Sequence, residues 1–499
     1  MKVYLLHRDR DFDSKQNFPS NAQALIQDLE LNTLFTAMAI KDEFLFNVVK
    51  QAVLTGLNDP DSIRYRQDIL RDCLNNPAVV REIYQIPIQS IQNKHKKWLG
   101  IFSKYPGSIL SSAIELLEMF VDLLRRLKQI ADEHADKFES DGFKRFFVMI
   151  QQELSEDYFA IVENHLKELR FHRGVLLSAE LGIGNEGKNY ILRKAKHNGQ
   201  NWVKRILARK SPIYSYTLHP RDDAGARALG ELRDGGINLV ANAVAQSADH
   251  IDSFLNALRL ELAFYIGCLN LVDQLTQFGE PTAFPTMMDS KERIHSFTEL
   301  YDICLALTTK QKVVGNDVNA DGRELVIITG ANQGGKSTFL RSIGLAQLMM
   351  QCGMFVPAES FSANVCTGLF THYKREEDTS MKSGKLDEEL SRMSVIVDNI
   401  TPNSLMLLNE SFAATNEREG SEIARQITCA LLDGRIKVFF VTHQYELAHG
   451  FHDKKMDNAI FLRAERKADG GRTFKVIEGK PLQTSYGKDL YHKVFGTDE

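Results

Sequence analysis

Apolar residues recur at helical spacing through the first half of the chain and in short unbroken runs through the second. The clearest helical stretch carries Ile251, Phe254, Leu255, Leu258, Leu262, Tyr265, Leu269 and Val272, the i, i+3, i+4, i+7 pattern of an element with one buried face. A second run from Ile109 to Ile130 groups Leu116, Leu117, Phe120, Leu124 and Leu127, behind a Tyr105-Pro106-Gly107-Ser108 turn suited to starting a helix. From Asn21 to about Phe278 the pattern predicts long amphipathic helices with charged outer faces, forming an extended arm. From about Phe284 the period changes to short apolar runs alternating with helical ones, which predicts a mostly parallel sheet covered by helices.

The length of 499 residues calls for more than one core, and 43% hydrophobic with 25% charged residues is ordinary globular composition. A net charge of −4 leaves affinity for an anionic polymer to local patches. The six cysteines, Cys73, Cys268, Cys304, Cys352, Cys366 and Cys429, are scattered without C-x-x-C spacing and read as buried reduced thiols. The start MKVYLLHRDRDFD has no apolar core of a signal peptide, and no run of 18 apolar residues occurs, so no membrane association and a cytoplasmic, nucleoid-associated location are expected.

One segment does carry a local charge. Gly187 to Arg221 contains no Asp or Glu but holds Lys188, Arg193, Lys194, Lys196, Lys204, Arg205, Arg209, Lys210 and Arg221, with Tyr190, Trp202, Tyr214 and Tyr216 among them. Basic residues interleaved with aromatics suit contact with nucleic acid phosphates, and equally suit a solvated basic face.

The chemistry is most legible around Glu324 to Met350. A strand-like run, Leu325 to Thr329, leads into Gly330-Ala331-Asn332-Gln333-Gly334-Gly335-Lys336-Ser337 and then a helical stretch from Thr338. This fits G-x-x-x-x-G-K-[ST], in which glycines let backbone N–H groups approach phosphate oxygens at a helix N-terminus. Lys336 is then expected on the β- and γ-phosphates of ATP and Ser337 on Mg²⁺. Two further strand-like runs end in Asn409-Glu410 and Thr442-His443, and strand ends of one sheet edge converge on a ligand in such folds. Glu410 is the candidate general base for the attacking water, and also a metal-side acid, with His443 as a γ-phosphate contact.

These motifs resemble the MutS family of DNA mismatch repair and recombination ATPases. The similar segments are TGANQGGKSTFLRSIG at 329–344, QCGMFVPAE at 351–359, LMLLNESFAATNEREG at 405–420, VTHQYELA at 441–448 and TSYGKDLYHKVFG at 484–496, with Asp59 to Ile63 and Arg66-Gln67-Asp68 resembling the start of the family's lever region. The resemblance implies a homodimer through the ATPase domain, each subunit completing the other's site with an ABC-like signature segment, matched here by Ser383 and Gly384. It implies that Asn316-Asp317 meets the nucleotide base, that Ala414-Thr415-Asn416 forms a connecting loop, and that Thr338 belongs to the phosphate loop. It also implies helical levers reaching a clamp around DNA, which puts the basic segment, including Arg193, Lys194, Lys196, Lys204 and Arg205, at the clamp.

Three departures shape the expected function. The chain begins almost in the lever region, so an N-terminal mismatch-reading domain and connector are not expected, and DNA recognition should rest on backbone or shape, as with duplexes or branched structures. Asn409 stands where the family usually has Asp, leaving an amide oxygen to reach Mg²⁺ through water without a full negative charge. Val313 and Val314 stand where a stacking aromatic would precede Asn316. The fold class expected is multidomain: an all-α lever/core region with a small clamp insertion, followed by an α/β P-loop (ABC-like) ATPase domain. The expected boundaries are 1–180 for the helical core, 181–235 for the clamp, 236–283 for the returning lever and 284–499 for the ATPase. The expected function is a DNA-dependent ATP hydrolase of repair or recombination using ATP and Mg²⁺; the alternative is an ATP-binding dimeric switch or scaffold with negligible hydrolysis and a protein partner.

Overall fold

The structure is a computed structural model that describes residues 1–97, 105–172, 174–194, 214–331, 333–375, 384–467 and 471–482. Asn332, Lys196, Lys204, Arg205 and Ser383 lie outside the described residues.

The chain forms two compact units, each drawn from separate stretches of sequence. One contains residues 1–3, 81–136 and 145–259; the other contains 4–80, 137–144 and 260–499. The reason is long-range packing: the first helices of the chain pack on later elements as well as on one another. Gly344 shows this, since a Cβ there would come 2.7 Å from Leu29 and 2.8 Å from Leu407. A glycine is what allows the helix Lys336–Gln351 to sit between them.

The first unit is built from long helices and a small hairpin. The run expected from Ile109 to Ile130 is the helix Pro106–His134, with Leu117, Phe120, Leu124 and Leu127 buried. Pro106 occupies its first turn, where a missing N–H costs nothing, and the Gly107 N–H is accepted by the Asp234 carboxylate at 3.2 Å. Arg125 pairs with Glu163 at 2.7 Å and Arg126 with Glu82 at 3.0 Å along the outer faces. Two strands, β1 (Leu177–Leu181) and β2 (Gly187–Leu192), pair antiparallel at the start of the acid-free segment.

The 56-residue helix Asp223–Phe278 bears the period read at Ile251 to Val272, with Leu258, Leu262 and Tyr265 wholly buried. It contains a stretch long and apolar enough to cross a membrane, but 72% of that stretch is buried within the protein. Its Glu261 is also wholly buried, accepting N–H groups of Leu5 at 2.5 Å, Leu6 at 3.0 Å and Phe12 at 3.3 Å. Tyr265 and Arg66 donate to the Leu5 and Leu6 carbonyls at 2.6 and 2.8 Å, so the N-terminal segment is held by satisfied polar groups inside the second unit.

The second unit contains a four-stranded sheet, ordered β3-β7-β4-β5, and a six-stranded sheet. The four strands are β3 (Thr286–Met288), β4 (His295–Leu300), β5 (Asn316–Asn319) and β7 (Ser360–Asn364). The larger sheet has the order β12-β11-β6-β10-β9-β8, from β6 (Leu325–Thr329), β8 (Leu369–Tyr373), β9 (Leu405–Asn409), β10 (Lys437–Val441), β11 (Ala459–Arg466) and β12 (Arg472–Glu478). All neighbours in it run parallel except β12. Every residue of β6, β8 and β10 is buried, the near-continuous apolar pattern of strands covered on both faces. Helices Lys385–Asn399, Glu417–Asp433 and Tyr445–Asp453 cover one face through Met393, Ala424, Leu431, Leu447 and Phe451.

Candidate nucleotide site

Strands β6, β10 and β9 lie side by side and parallel, with Val441 opposite both Ile328 and Asn409. Their C-terminal ends therefore deliver Gly330, Ala331 and Gln333 to Ser337, Thr442-His443 and Asn409-Glu410 to one sheet edge.

The glycine loop takes its shape from close approach. Gly330 has φ +119°, and a Cβ there would stand 2.8 Å from the Ala464 backbone nitrogen. Gly335, at φ +87°, begins the helix Lys336–Gln351, and its carbonyl accepts the Phe339 N–H at 2.8 Å. Gln333 also adopts a positive φ, and its amide oxygen accepts from Arg472 of β12 at 2.9 Å. Ala331 anchors the turn, its carbonyl accepting Gly334 N–H at 3.2 Å and the Lys336 ammonium at 2.9 Å.

Lys336 is 5% exposed, and burial pulls its pKa from 10.5 to about 8, against the neighbouring Glu410 charge and with help from Arg472. Ser337 Oγ donates to Asn409 Oδ1 at 3.0 Å, a neutral pair. Glu410, the residue after β9, has φ +51°, and its Oε1 lies 2.9 Å from His443 Nε2. That hydrogen bond, above the charges of Lys374 and Lys336, holds the Glu410 carboxyl below its ordinary pKa and hence ionised.

A cavity of about 450 Å³ opens on these groups, and its lining includes Gln333, Gly334, Gly335, Lys336, Ser337, Thr338, Glu410 and His443. Its other wall includes Leu300, Val313, Val314 and Asn316. Asn316 is buried, and its Oδ1 is occupied by the Val476 N–H at 2.7 Å, tying β5 to β12. An aromatic does reach the cavity: Phe474 of β12, held at φ +60° and within reach of a Gly335 Cβ at 3.6 Å. Nothing local in the sequence marks Phe474, because its place follows from the antiparallel pairing of β12 with β11.

The remaining expected residues are dispersed. Asn416 caps the helix Glu417–Asp433 through the Glu419 N–H at 3.0 Å, and Thr415 donates to Glu419 at 2.8 Å. Gly384 is the N-cap residue of Lys385–Asn399. In the other unit, Arg193 donates to Ser178 Oγ at 2.9 Å across the hairpin, and Lys194 pairs with Glu168 at 2.9 Å. Part of the basic segment's charge is thus already matched. Among the described residues no cluster of three metal-ligating side chains occurs.

The fold and this edge define a multidomain protein, helix-rich and joined to an α/β domain whose glycine loop faces a charged cavity. Residues 58–278 match the family described as the MutS2 N-terminal domain, and 326–494 match MutS domain V. The DNA mismatch repair protein MutS of Clostridium botulinum (strain Eklund 17B / Type B) is 37% identical over 503 residues, covering 91% of this chain and 50% of that protein. The MutS of Thermotoga petrophila is 36% identical over 182 residues, 36% of this chain and 23% of its own length, and MutS protein homolog 4 of Mus musculus is 34% identical over 143 residues, 29% and 15%. The matches span half or less of these relatives. The chain belongs to the MutS family, a DNA-mismatch-repair-related family of ATPases.

Proposed function

We propose that this chain is an ATP-dependent DNA-binding ATPase that dimerises through its α/β domain and uses nucleotide binding to open and close a helical clamp. Its substrate is duplex or branched DNA, bound by backbone and shape during repair or recombination. The observation that carries this reading is the convergence of Lys336, Ser337, Glu410 and His443 on one cavity beside the glycine loop.

In this reading the loop N–H groups from Ala331 through Thr338, Asn332 included, face the phosphates, and the Lys336 ammonium neutralises them without leaving the protein. Ionised Glu410 accepts the proton of the attacking water, and its bond to His443 keeps the carboxylate oriented while His443 meets the γ-phosphate. Ser337 Oγ and Asn409 Oδ1 are hard oxygen donors and fit a hydrated Mg²⁺, with Glu410 on the same side. When bound, that ion supplies positive charge beside the β- and γ-phosphates. Ser383 and Gly384 complete the site of the partner subunit, and Arg193, Lys194, Lys196, Lys204 and Arg205 meet DNA phosphates. The location proposed is cytoplasmic.

A second reading, an ATP-binding switch with negligible turnover, is favoured by one observation: Ser337 and Asn409 satisfy each other as a neutral pair. ATP turnover separates the two, measured with and without linear duplex and four-way junction DNA at two salt concentrations. Stimulation by DNA supports the clamp ATPase, whereas tight ATP binding without turnover or DNA response favours the switch. Replacing Arg193, Lys194, Lys204 and Arg205 by Glu should weaken DNA binding and flatten its salt dependence. Unchanged binding in that variant removes the clamp assignment.

A further inference from the structure

The turn that carries Glu410 contains two residues in the left-handed region, Glu410 at φ +51° and Phe412 at φ +63°. Residues with a Cβ avoid this conformation unless their surroundings hold them in it. Ser411 lies between the two and is buried, and so is its neighbour across the sheet, His372 of β8. His372 Nδ1 stands 2.7 Å from Ser411 Oγ, and the same hydroxyl stands 2.7 Å from the His372 carbonyl. The other ring nitrogen, Nε2, is 3.0 Å from the Glu389 carbonyl of the helix Lys385–Asn399. Burial, with Arg392 nearby, pulls the His372 pKa down to about 4, so the ring is neutral. Nε2 then carries the proton and donates it to the Glu389 carbonyl, which leaves Nδ1 as an acceptor for the Ser411 hydroxyl. The Phe412 ring stacks on His372 with centroids 5.3 Å apart, and the Phe412 carbonyl accepts from the Gln444 amide at 3.1 Å. On the strand side, the Glu410 N–H is donated to the Val441 carbonyl at 2.8 Å.

We propose that Ser411 and His372 are positioning residues for Glu410: they hold the left-handed turn so that the Glu410 carboxylate keeps the orientation from which it takes the proton of the attacking water. The proposal rests on the general-base reading of Glu410 above and adds the groups that fix it in place. Neither side chain is among those lining the nucleotide cavity, so their effect reaches the chemistry through Glu410. The physical reason is local. The direction of the Glu410 side chain is set by the backbone on both sides of it, and the Ser411 hydroxyl is the anchor on the side away from the strand. Without that anchor the turn relaxes toward negative φ, which swings the carboxylate away from His443.

The test is ATP hydrolysis by the full chain with Mg²⁺, in the steady state and, for slow variants, in a single turnover. Ser411→Ala should lower kcat by about tenfold or more while KM stays within about twofold, and His372→Asn should show the same split. Added to Glu410→Gln, Ser411→Ala should cost less than about twofold further, because the group it orients is already gone. Unfolding midpoints check that each variant folds. A kcat within about twofold of wild type in Ser411→Ala overturns the proposal. So does an undiminished loss in the Glu410→Gln background, the result that a general loosening of the domain would give. Parental turnover in Glu410→Gln, or none in the wild-type chain, overturns the general-base reading and this proposal with it.

Discussion

Under the proposed nucleotide reading, the buried ammonium of Lys336 should make ATP affinity depend on pH in a range where few other groups titrate. Burial lowers its pKa to about 8, so at pH 7.5 most molecules carry the charge, whereas at pH 9 only about one in ten does. A triphosphate's terminal group, with its last pKa near about 6, has already lost its proton over this range. If ATP binds only the ammonium form, the dissociation constant should rise about tenfold between pH 7.5 and 9. Fluorescence anisotropy of labelled ATP at pH 7.5, 8.5 and 9.5 reads this directly, and Lys336→Arg should abolish the fall because a guanidinium keeps its proton. The unliganded protein should show the opposite trend in stability. Its unfolded state holds the lysine proton up to 10.5 while the folded state releases it near 8, so this group's contribution rises between those values. Affinity that stays flat to pH 9.5, or a parallel fall in Lys336→Arg, would refute the reasoning.

Glu410→Gln should slow ATP turnover by at least about a hundredfold while leaving ATP binding within a few-fold and trapping the dimer, and turnover at the parental rate would remove the general-base role. Gly330→Ala combines a forbidden φ with a 2.8 Å approach to backbone, and should lower stability by about 2–4 kcal/mol, read as a fall in the urea midpoint; a wild-type midpoint would contradict the loop geometry. Burial raises the Glu261 pKa from 4.5 to about 7, so the folded state holds a proton that the unfolded state has lost across that window. Stability from this group should therefore fall by about 3 kcal/mol as pH rises from 4.5 to 7, and unfolding midpoints at both ends should show a shallower slope in Glu261→Gln.

The candidate site was legible to unequal degrees. Lys336, Ser337, Glu410 and His443 could be found because each sits at or just beyond the end of a short apolar run, and parallel strands bring such ends together whatever fills the space between them. Phe474, Arg472 and His372 could not. His372 meets Ser411 only because β8 is the sheet neighbour of β9, and Phe474 enters the cavity only because β12 turns back antiparallel on β11. Val313 and Val314 precede Asn316, and the aromatic that lines the cavity, Phe474, comes instead from the edge strand β12 of the six-stranded sheet.

Domain organisation divides along the same line. Periodicity suffices for the helix at Ile251 to Val272 and for the buried strands Leu325–Thr329 and Lys437–Val441, because burial of one face or both imprints directly on neighbouring positions. It carries no signal for Leu29 packing at Gly344 or for Glu261 holding the N–H groups of Leu5, Leu6 and Phe12, contacts between segments more than 200 positions apart. Element type and the glycine loop are local properties written in spacing and glycine placement. Which cations and aromatics share the cavity, and which helices share a core with the sheet, depend on strand order and chain return, and only the folded chain decides these.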